Sequence, residues 1–236
     1  MVDSANNIIL FFIASLALAS LTSCPSSTDP TLIDNGGDYL PLEKGKYWTY
    51  RVEKDVYTTV KDTSLSWYIK DHILDVEIKD DGFPVYTLNR YRSGSQTGPW
   101  EVEMAWTYKI TDKQAIMLQN NTHTVNLVFP TRLNQTWDGN AINTQPEDLY
   151  EISEYDVEYQ NSLGQTFPST LLVNQEDNGD HIVQLIQRSE RYARDVGMIE
   201  KNDINLVFCQ LDECRGLQDP DYGHELKYLL IDFGAE

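Results

Sequence analysis

Between Trp100 and Ile110 the chain alternates with a period of two. Trp100, Val102, Met104, Trp106, Tyr108 and Ile110 share one parity, while Glu101, Glu103, Thr107 and Lys109 take the other. An extended strand turns successive side chains to opposite faces, so this pattern predicts a strand with one apolar and one wet face. Trp48, Tyr50, Val52 and Val56 alternate in the same way with Thr49, Arg51, Glu53 and Asp55, and Tyr155, Val157 and Tyr159 alternate with Glu154, Asp156 and Glu158. Further strands are predicted over Trp67–Ile78, Pro84–Arg92, Thr124–Phe129, Pro168–Gln175, Ile182–Arg191, Ile204–Leu211 and Leu226–Phe233, all rich in β-branched and aromatic residues. Parity slips between Ile73 and Leu74, the mark of a bulge.

The punctuation between these segments suits hairpins: Asp80-Asp81-Gly82, Ser93-Gly94-Ser95, Asn161-Ser162-Leu163-Gly164 and Asp177-Asn178-Gly179-Asp180, the last with an Asn-Gly pair that fits a tight primed turn. No segment after residue 24 holds a helical period for long. Strands joined by short polar turns, without helix-length crossovers, predict an all-β fold: an antiparallel meander curled into a barrel, half-barrel or sandwich. A single such domain is expected over residues 39–236. Amphipathic strands also suit outer-membrane barrels, but the many charges of this chain argue against a lipid-facing wall.

The amino terminus carries a different signal. Ile8 to Leu21 is an almost unbroken apolar stretch, IILFFIASLALASL. At about 1.5 Å rise per residue it covers only about 21 Å of a hydrocarbon core roughly 30 Å thick, so it reads as the apolar region of an export signal and not as a span. It runs into Leu21-Thr22-Ser23-Cys24, which resembles the bacterial lipobox: an aliphatic residue, two small residues and the Cys that is diacylated before cleavage. The stretch MVDSANN departs from the usual start of such signals, since it holds Asp3 and no Lys or Arg. The resemblance implies a signal peptide over residues 1–23, lipidation at Cys24, and a mature chain held on the cell envelope, at the outer membrane, through its acyl chains. Residues 24–38 are rich in Pro, Ser, Thr, Asp and Gly and read as a flexible tether.

Charge narrows the list of partners. With 37 acidic residues against 18 basic ones the net charge is -19, and there is no basic run. Phosphate polyanions are attracted by clustered Lys and Arg, so nucleic acid is excluded as a partner, and an anionic lipid surface is disfavoured for the same reason. The 14 Tyr and 5 Trp are too many for a disordered chain.

Candidate chemistry is sparse. Cys209 and Cys214 enclose Gln-Leu-Asp-Glu, and after an export signal two such thiols meet an oxidising compartment, so a disulfide is expected. Asp219-Pro220-Asp221-Tyr222-Gly223-His224 gathers Asp219, Asp221 and His224 in one loop, a weak candidate for a Ca²⁺ site beside the plainer reading of a solvated acidic turn. His72, His123, His181 and His224 stand singly, with no metal-ligand spacing, and no cofactor is called for. There is no G-x-S-x-G elbow, no phosphate-cradling Gly loop and no S-x-x-K. Paired carboxylates for glycoside hydrolysis stay open, because their separation is invisible in sequence.

Tyr39-Leu40-Pro41-Leu42-Glu43-Lys44-Gly45-Lys46-Tyr47-Trp48-Thr49-Tyr50 resembles an opening segment of secreted and lipid-anchored bacterial β-proteins, of the form Y-x-P-L-x-x-G-x-x-W-x-Y. With Leu127 to Pro130, Trp137 to Ala141 and Glu190 to Ile199, it is similar to an uncharacterised lipoprotein family of Bacteroidetes-type bacteria. The resemblance implies an envelope address and a β-rich fold, and no activity. Physically, Gly197 lets the chain turn between two strands with Tyr192 packed beneath, and Trp137-Asp138-Gly139-Asn140 reads as a turn anchored by an indole. The reading that follows is a non-enzymatic binding or scaffold domain, whose concave face holds a hydrophobic ligand or closes on itself. An interaction module in an envelope complex, with a protein partner, is the alternative. A glycan or lipid hydrolase is the third.

Overall fold

The computed structural model describes residues 35–178 and 182–236. The signal peptide, Cys24 and all of the tether up to residue 34 lie outside the described residues, as do Gly179 and Asp180 of the expected Asp177–Asp180 turn. Past a 3-10 turn at Gly37–Tyr39 the chain forms twelve strands: β1 (Lys46–Tyr57), β2 (Thr63–Ile78), β3 (Pro84–Ser93), β4 (Glu101–Ile110), β5 (Gln114–Gln119), β6 (Thr122–Val128), β7 (Thr136–Asp138), β8 (Leu149–Gln160), β9 (Thr166–Asp177), β10 (Gln184–Ala193), β11 (Gly197–Phe208) and β12 (Pro220–Ala235). All pairings are antiparallel, as short hairpin turns require.

The order across the sheet is β6-β5-β4-β3-β2-β1-β12-β11-β10-β9-β8-β7. The chain enters at the centre, steps outward through β6, crosses to β7 at the far edge and steps back until β12 pairs with β1. The sheet curls so that its edges meet. Val125 donates its main-chain N–H to Gly139 O (2.9 Å), Trp137 Nε1 donates to Val125 O (2.8 Å), and Asn143 Nδ2 donates to His123 O (2.7 Å). The result is a nearly closed barrel, which leaves little of either edge free for another strand.

The inner face is built by the predicted alternation. Trp48, Tyr50 and Val52 of β1, Ile69 and Ile73 of β2, Leu88 of β3, Trp106 of β4 and Leu230 of β12 form one buried cluster. Tyr39, Leu127, Phe129, Tyr150, Ile152, Leu171 and Val173 form a second. Each large apolar side chain taken from water contributes roughly 1.5–3 kcal/mol, which offsets the ordering of the chain. The bulge expected near Ile73 is present, where Ile73 and Asp75 oppose Leu88 and Thr87.

Three local expectations change. The single parity of Trp100 to Ile110 breaks at Glu103, which is skipped where Arg90 and Tyr91 oppose Met104 and Val102, and Val102 is 62% exposed. The extra residue reverses the facing of everything before it. β5 and β7 are additional strands, the latter within the segment read as a turn, and β11 starts at Gly197 instead of Ile204. Residues 35–38, read as the end of the tether, are tied to the barrel. Thr131 N–H donates to Asn35 O (3.1 Å), Asp195 N–H donates to Asp38 O (2.8 Å), and Arg194 pairs with the Asp38 carboxylate.

Candidate functional site: a polar cavity inside the barrel

The strands line a partly open cavity of about 110 Å³. Its apolar wall comes from Leu88, Met117, Met198 and the rings of Trp48, Tyr50 and Tyr228, among others. The same wall carries four charges: Asp71, Arg90, Glu190 and Lys201. Each sits at a position where alternation brings a side chain inward, Asp71 between Ile69 and Ile73 and Arg90 beside Leu88.

The charges form two ion pairs, each between residues directly opposite on neighbouring strands. Asp71 of β2 faces Arg90 of β3, whose Nε and Nη2 donate to the two carboxylate oxygens, both at 2.7 Å. The guanidinium also lies over the Trp106 ring, 4.4 Å from its centroid, and 5.7 Å from that of Tyr228. A planar cation that is bidentate and stacked is held in one geometry. Burial pushes the Asp71 carboxyl above its usual range despite the attraction of Arg90. Burial alone would lower Arg90, but the Asp71 charge and hydrogen bonds raise it, so it stays charged.

Glu190 of β10 faces Lys201 of β11, with Nζ donating to Oε1 at 2.7 Å. Tyr192 donates its hydroxyl to Glu190 Oε2 at 2.5 Å. Burial would raise Glu190, but the Lys201 charge and the hydrogen bonds from Lys201, Tyr192 and Gln175 outweigh it, and its carboxyl falls below its usual range. Lys201 is held up by Glu190 against the opposing effect of burial. Burial raises the phenols of Tyr50 and Tyr192 well above 10.0.

Two residues of the cavity wall each carry a fully buried polar atom without a hydrogen-bond partner among the described residues, Trp106 Nε1 and Asn126 Oδ1, and neither atom is exposed to the cavity space. Asn126 is there because of a bulge: Ala115 and Ile116 of β5 oppose Leu127 and Val125 of β6, so Asn126 is the unpaired extra residue. Three consecutive residues, Val125 to Leu127, are thereby buried. Bulges re-aim side chains in this way beside functional sites.

Sequence analysis places Trp48, Tyr50 and Trp106 on apolar strand faces and Tyr192 beneath a turn, but it does not single out Asp71, Arg90, Asn126 or Lys201. The available signal was a charge on an apolar parity, as at Asp71. Cys209 and Cys214 are joined in a disulfide with Cα atoms 5.8 Å apart, away from the cavity. Asp219, Asp221 and His224 do not converge. The segment opens β12, where Asp221 is the unpaired residue of a bulge between Tyr222 and Pro220, and His224 Nε2 lies 3.6 Å from Asp203 Oδ1. Among the described residues no group of three or more His, Cys, Asp or Glu is arranged to hold a metal. Cys24 lies outside the described residues.

The turn landmarks do what their residue types suggest. Gly197 has φ 104°, and a Cβ there would lie 3.0 Å from Trp48 Nε1, which donates to Val196 O. At Gly139 a Cβ would come within 2.5 Å of the Tyr150 ring. Asp138 Oδ1 accepts from Asn140 N–H (2.8 Å) and Asp148 N–H (2.9 Å), closing that loop.

No family model and no curated protein matches the chain. Two crystal structures are similar in shape. One is a "putative exported protein with YmcC-like fold" from Bacteroides fragilis, with a TM-score of 0.39 and 10% identity over 83% of this chain and 98% of that one. The other is a "putative lipoprotein" from Parabacteroides distasonis, with a TM-score of 0.38 and 8% identity over 83% and 98%.

Proposed function

We propose that this chain is a lipid-anchored protein of the cell envelope, held at the outer membrane through Cys24, whose barrel binds a small molecule without transforming it. The lipobox-like Leu21 to Cys24 supports the anchor. The observation that carries the binding role is a partly open cavity of about 110 Å³ whose wall combines aromatic rings with two ion pairs. Apolar side chains of similar volume often serve a core as well as buried ion pairs do or better, so packing alone gives no reason for those charges. The volume is below the roughly 150 Å³ of an engineered cavity that takes benzene, so the ligand is small, and an acyl chain is disfavoured. Each cavity carboxylate is committed to a cation, which favours binding over acid–base work.

Two measurements test the two parts. Cys24→Ser should shift the full chain from the membrane to the soluble fraction; equal partitioning of variant and parent defeats the anchor. Native mass spectrometry of the full chain purified from its own envelope should show a small bound mass. Leu88→Trp, which fills the cavity from β3, should lose it. A mass retained in Leu88→Trp, or absent from the parent, defeats the binding role.

A further inference from the structure

At the end of the barrel where β10 begins and β11 stops, large apolar side chains stand in the open. Ile182, Val183, Leu211, Leu217 and Tyr222 are each between 45% and 72% exposed. Backbone pairing gathers them. Phe208 N–H donates to Val183 O (2.8 Å), Gln210 Nε2 donates to Ile182 O (3.1 Å), Val207 pairs with Tyr222, and Cys209 N–H donates to Asp219 O (2.8 Å). Leu211 lies inside the loop closed by the Cys209–Cys214 disulfide, and Leu217 N–H donates to Cys214 O (3.0 Å). So short a loop gains little stability from its bridge. The bridge instead fixes the segment that presents Leu211 and Leu217, and a surface already ordered loses less freedom when a partner covers it. Apolar residues scattered singly over a surface need no explanation, but several together inside a polar rim mark a contact face.

The rim sets the sign of the partner. Residues 203–225 hold six acids against Arg215 alone, and Asp212, Glu213 and Asp219 are exposed in the disulfide loop and just beyond it. A second copy would set this acidic end against another, and an anionic bilayer would be repelled in the same way. A basic segment with apolar side chains meets both features of the face. The face is also clear of the entry of the chain. Asp38 is bonded to Asp195 beside the start of β11, and the 12 residues of that strand carry the face roughly 35 Å away.

We infer that this end of the barrel is a docking face for a protein segment that is both basic and apolar. It stands whether or not the cavity holds a ligand. For the test, the full chain is reconstituted in phosphatidylcholine vesicles, and binding of fluorescent peptides is read as the excess over protein-free vesicles. The probes are a short peptide of Lys and Leu and two counterparts, one with Glu in place of Lys and one with Ser in place of Leu.

The Lys-Leu peptide should bind about tenfold more tightly than either counterpart. Leu211→Ser with Leu217→Ser should weaken it about tenfold. Ile78→Ser with Leu163→Ser, which removes exposed apolar side chains at the opposite end of the barrel, should leave it unchanged. All four positions are on the surface, and the melting curves of both double variants should match the parent. Equal losses in the two double variants, or equal binding of the Lys-Leu and Lys-Ser peptides, overturns the docking face, since the attraction would then be the diffuse charge of the chain. Binding of the Glu-Leu peptide as tight as that of Lys-Leu overturns the basic partner, and no binding of any peptide overturns the whole inference. A parent that sediments as a dimer in detergent, with Leu211→Ser and Leu217→Ser together giving a monomer, assigns the face to a second copy and overturns the partner named here.

Discussion

The two halves of the barrel, β1–β6 and β7–β12, are laid out as mirror sequences about the β1–β12 pairing, and each contributes one ion pair to the cavity at the corresponding place. In the first half the pair spans β2 and β3, and in the second β10 and β11. Their surroundings differ. Arg90 and Asp71 are sealed, with side chains 15% and 8% exposed, and Asp71 depends on one bidentate partner. Lys201 stays 32% exposed while Glu190, at 6%, draws on Tyr192 and Gln175 as well. A buried charge with one partner is fragile, and a buried charge with several is not. The first pair leaves Asp71 with a single cationic partner, and the second sets Glu190 in a polar network that keeps donors besides its cation.

The largest contrast is expected from removing the two cations in turn. Arg90→Met strands Asp71 and should cost ~3–5 kcal/mol in urea unfolding, with much of it recovered by Asp71→Leu in the same chain. If the double variant is no more stable than the single, the sealed pair does not behave as one unit. Lys201→Met should cost less, ~1–3 kcal/mol, because Glu190 keeps Tyr192 and Gln175 as donors. Equal costs at the two sites would erase the distinction between the halves.

Acid should separate the carboxylates by sign. Glu190 titrates below its usual 4.5 in the folded barrel, so it contributes stability above pH 4.5 that is lost as pH falls through its folded value. Asp71 is raised above 3.8, so its protonation in acid relieves a cost. Melting curves between pH 3 and 7 should therefore flatten in Glu190→Gln and not in Asp71→Asn. At the other extreme, Lys201 is raised above 10.5 and Tyr50 and Tyr192 above 10.0, so stability present below pH 10 should fall as the solution becomes more alkaline.

The smallest effect concerns where the halves meet. β1 and β12 are paired along their length from Lys46↔Ala235 to Tyr57↔Gly223, with one bulge at Ile231, whereas β6 and β7 are joined by the Val125–Gly139 and Trp137–Val125 bonds. Trp137→Phe should cost about 1 kcal/mol and speed amide exchange in β6 and β7 while β1 and β12 keep their protection. Uniform exchange in both places would mean that the barrel opens as one unit.

Much of the architecture can be read from residue order, because period two is local. Trp48 to Val56, Ile69 to Ile73 and the hairpin turns announce strands without reference to anything distant. β5 escaped this reading since Ala115, Ile116, Met117 and Leu118 are all apolar and show no alternation, and β7 since three residues are too few for a period. The cavity was hidden for another reason. Asp71 and Arg90 lie 19 residues apart, and Asn126, Glu190 and Tyr192 come from strands in different halves, so their meeting depends on register and on bulges at Asn126 and between Arg191 and Tyr192. A one-residue slip sends a side chain to the opposite face, and hydrophobic order along a strand does not specify where a bulge falls. Residue order therefore dictates a curled antiparallel sheet, while long-range pairing alone brings two salt bridges around one cavity.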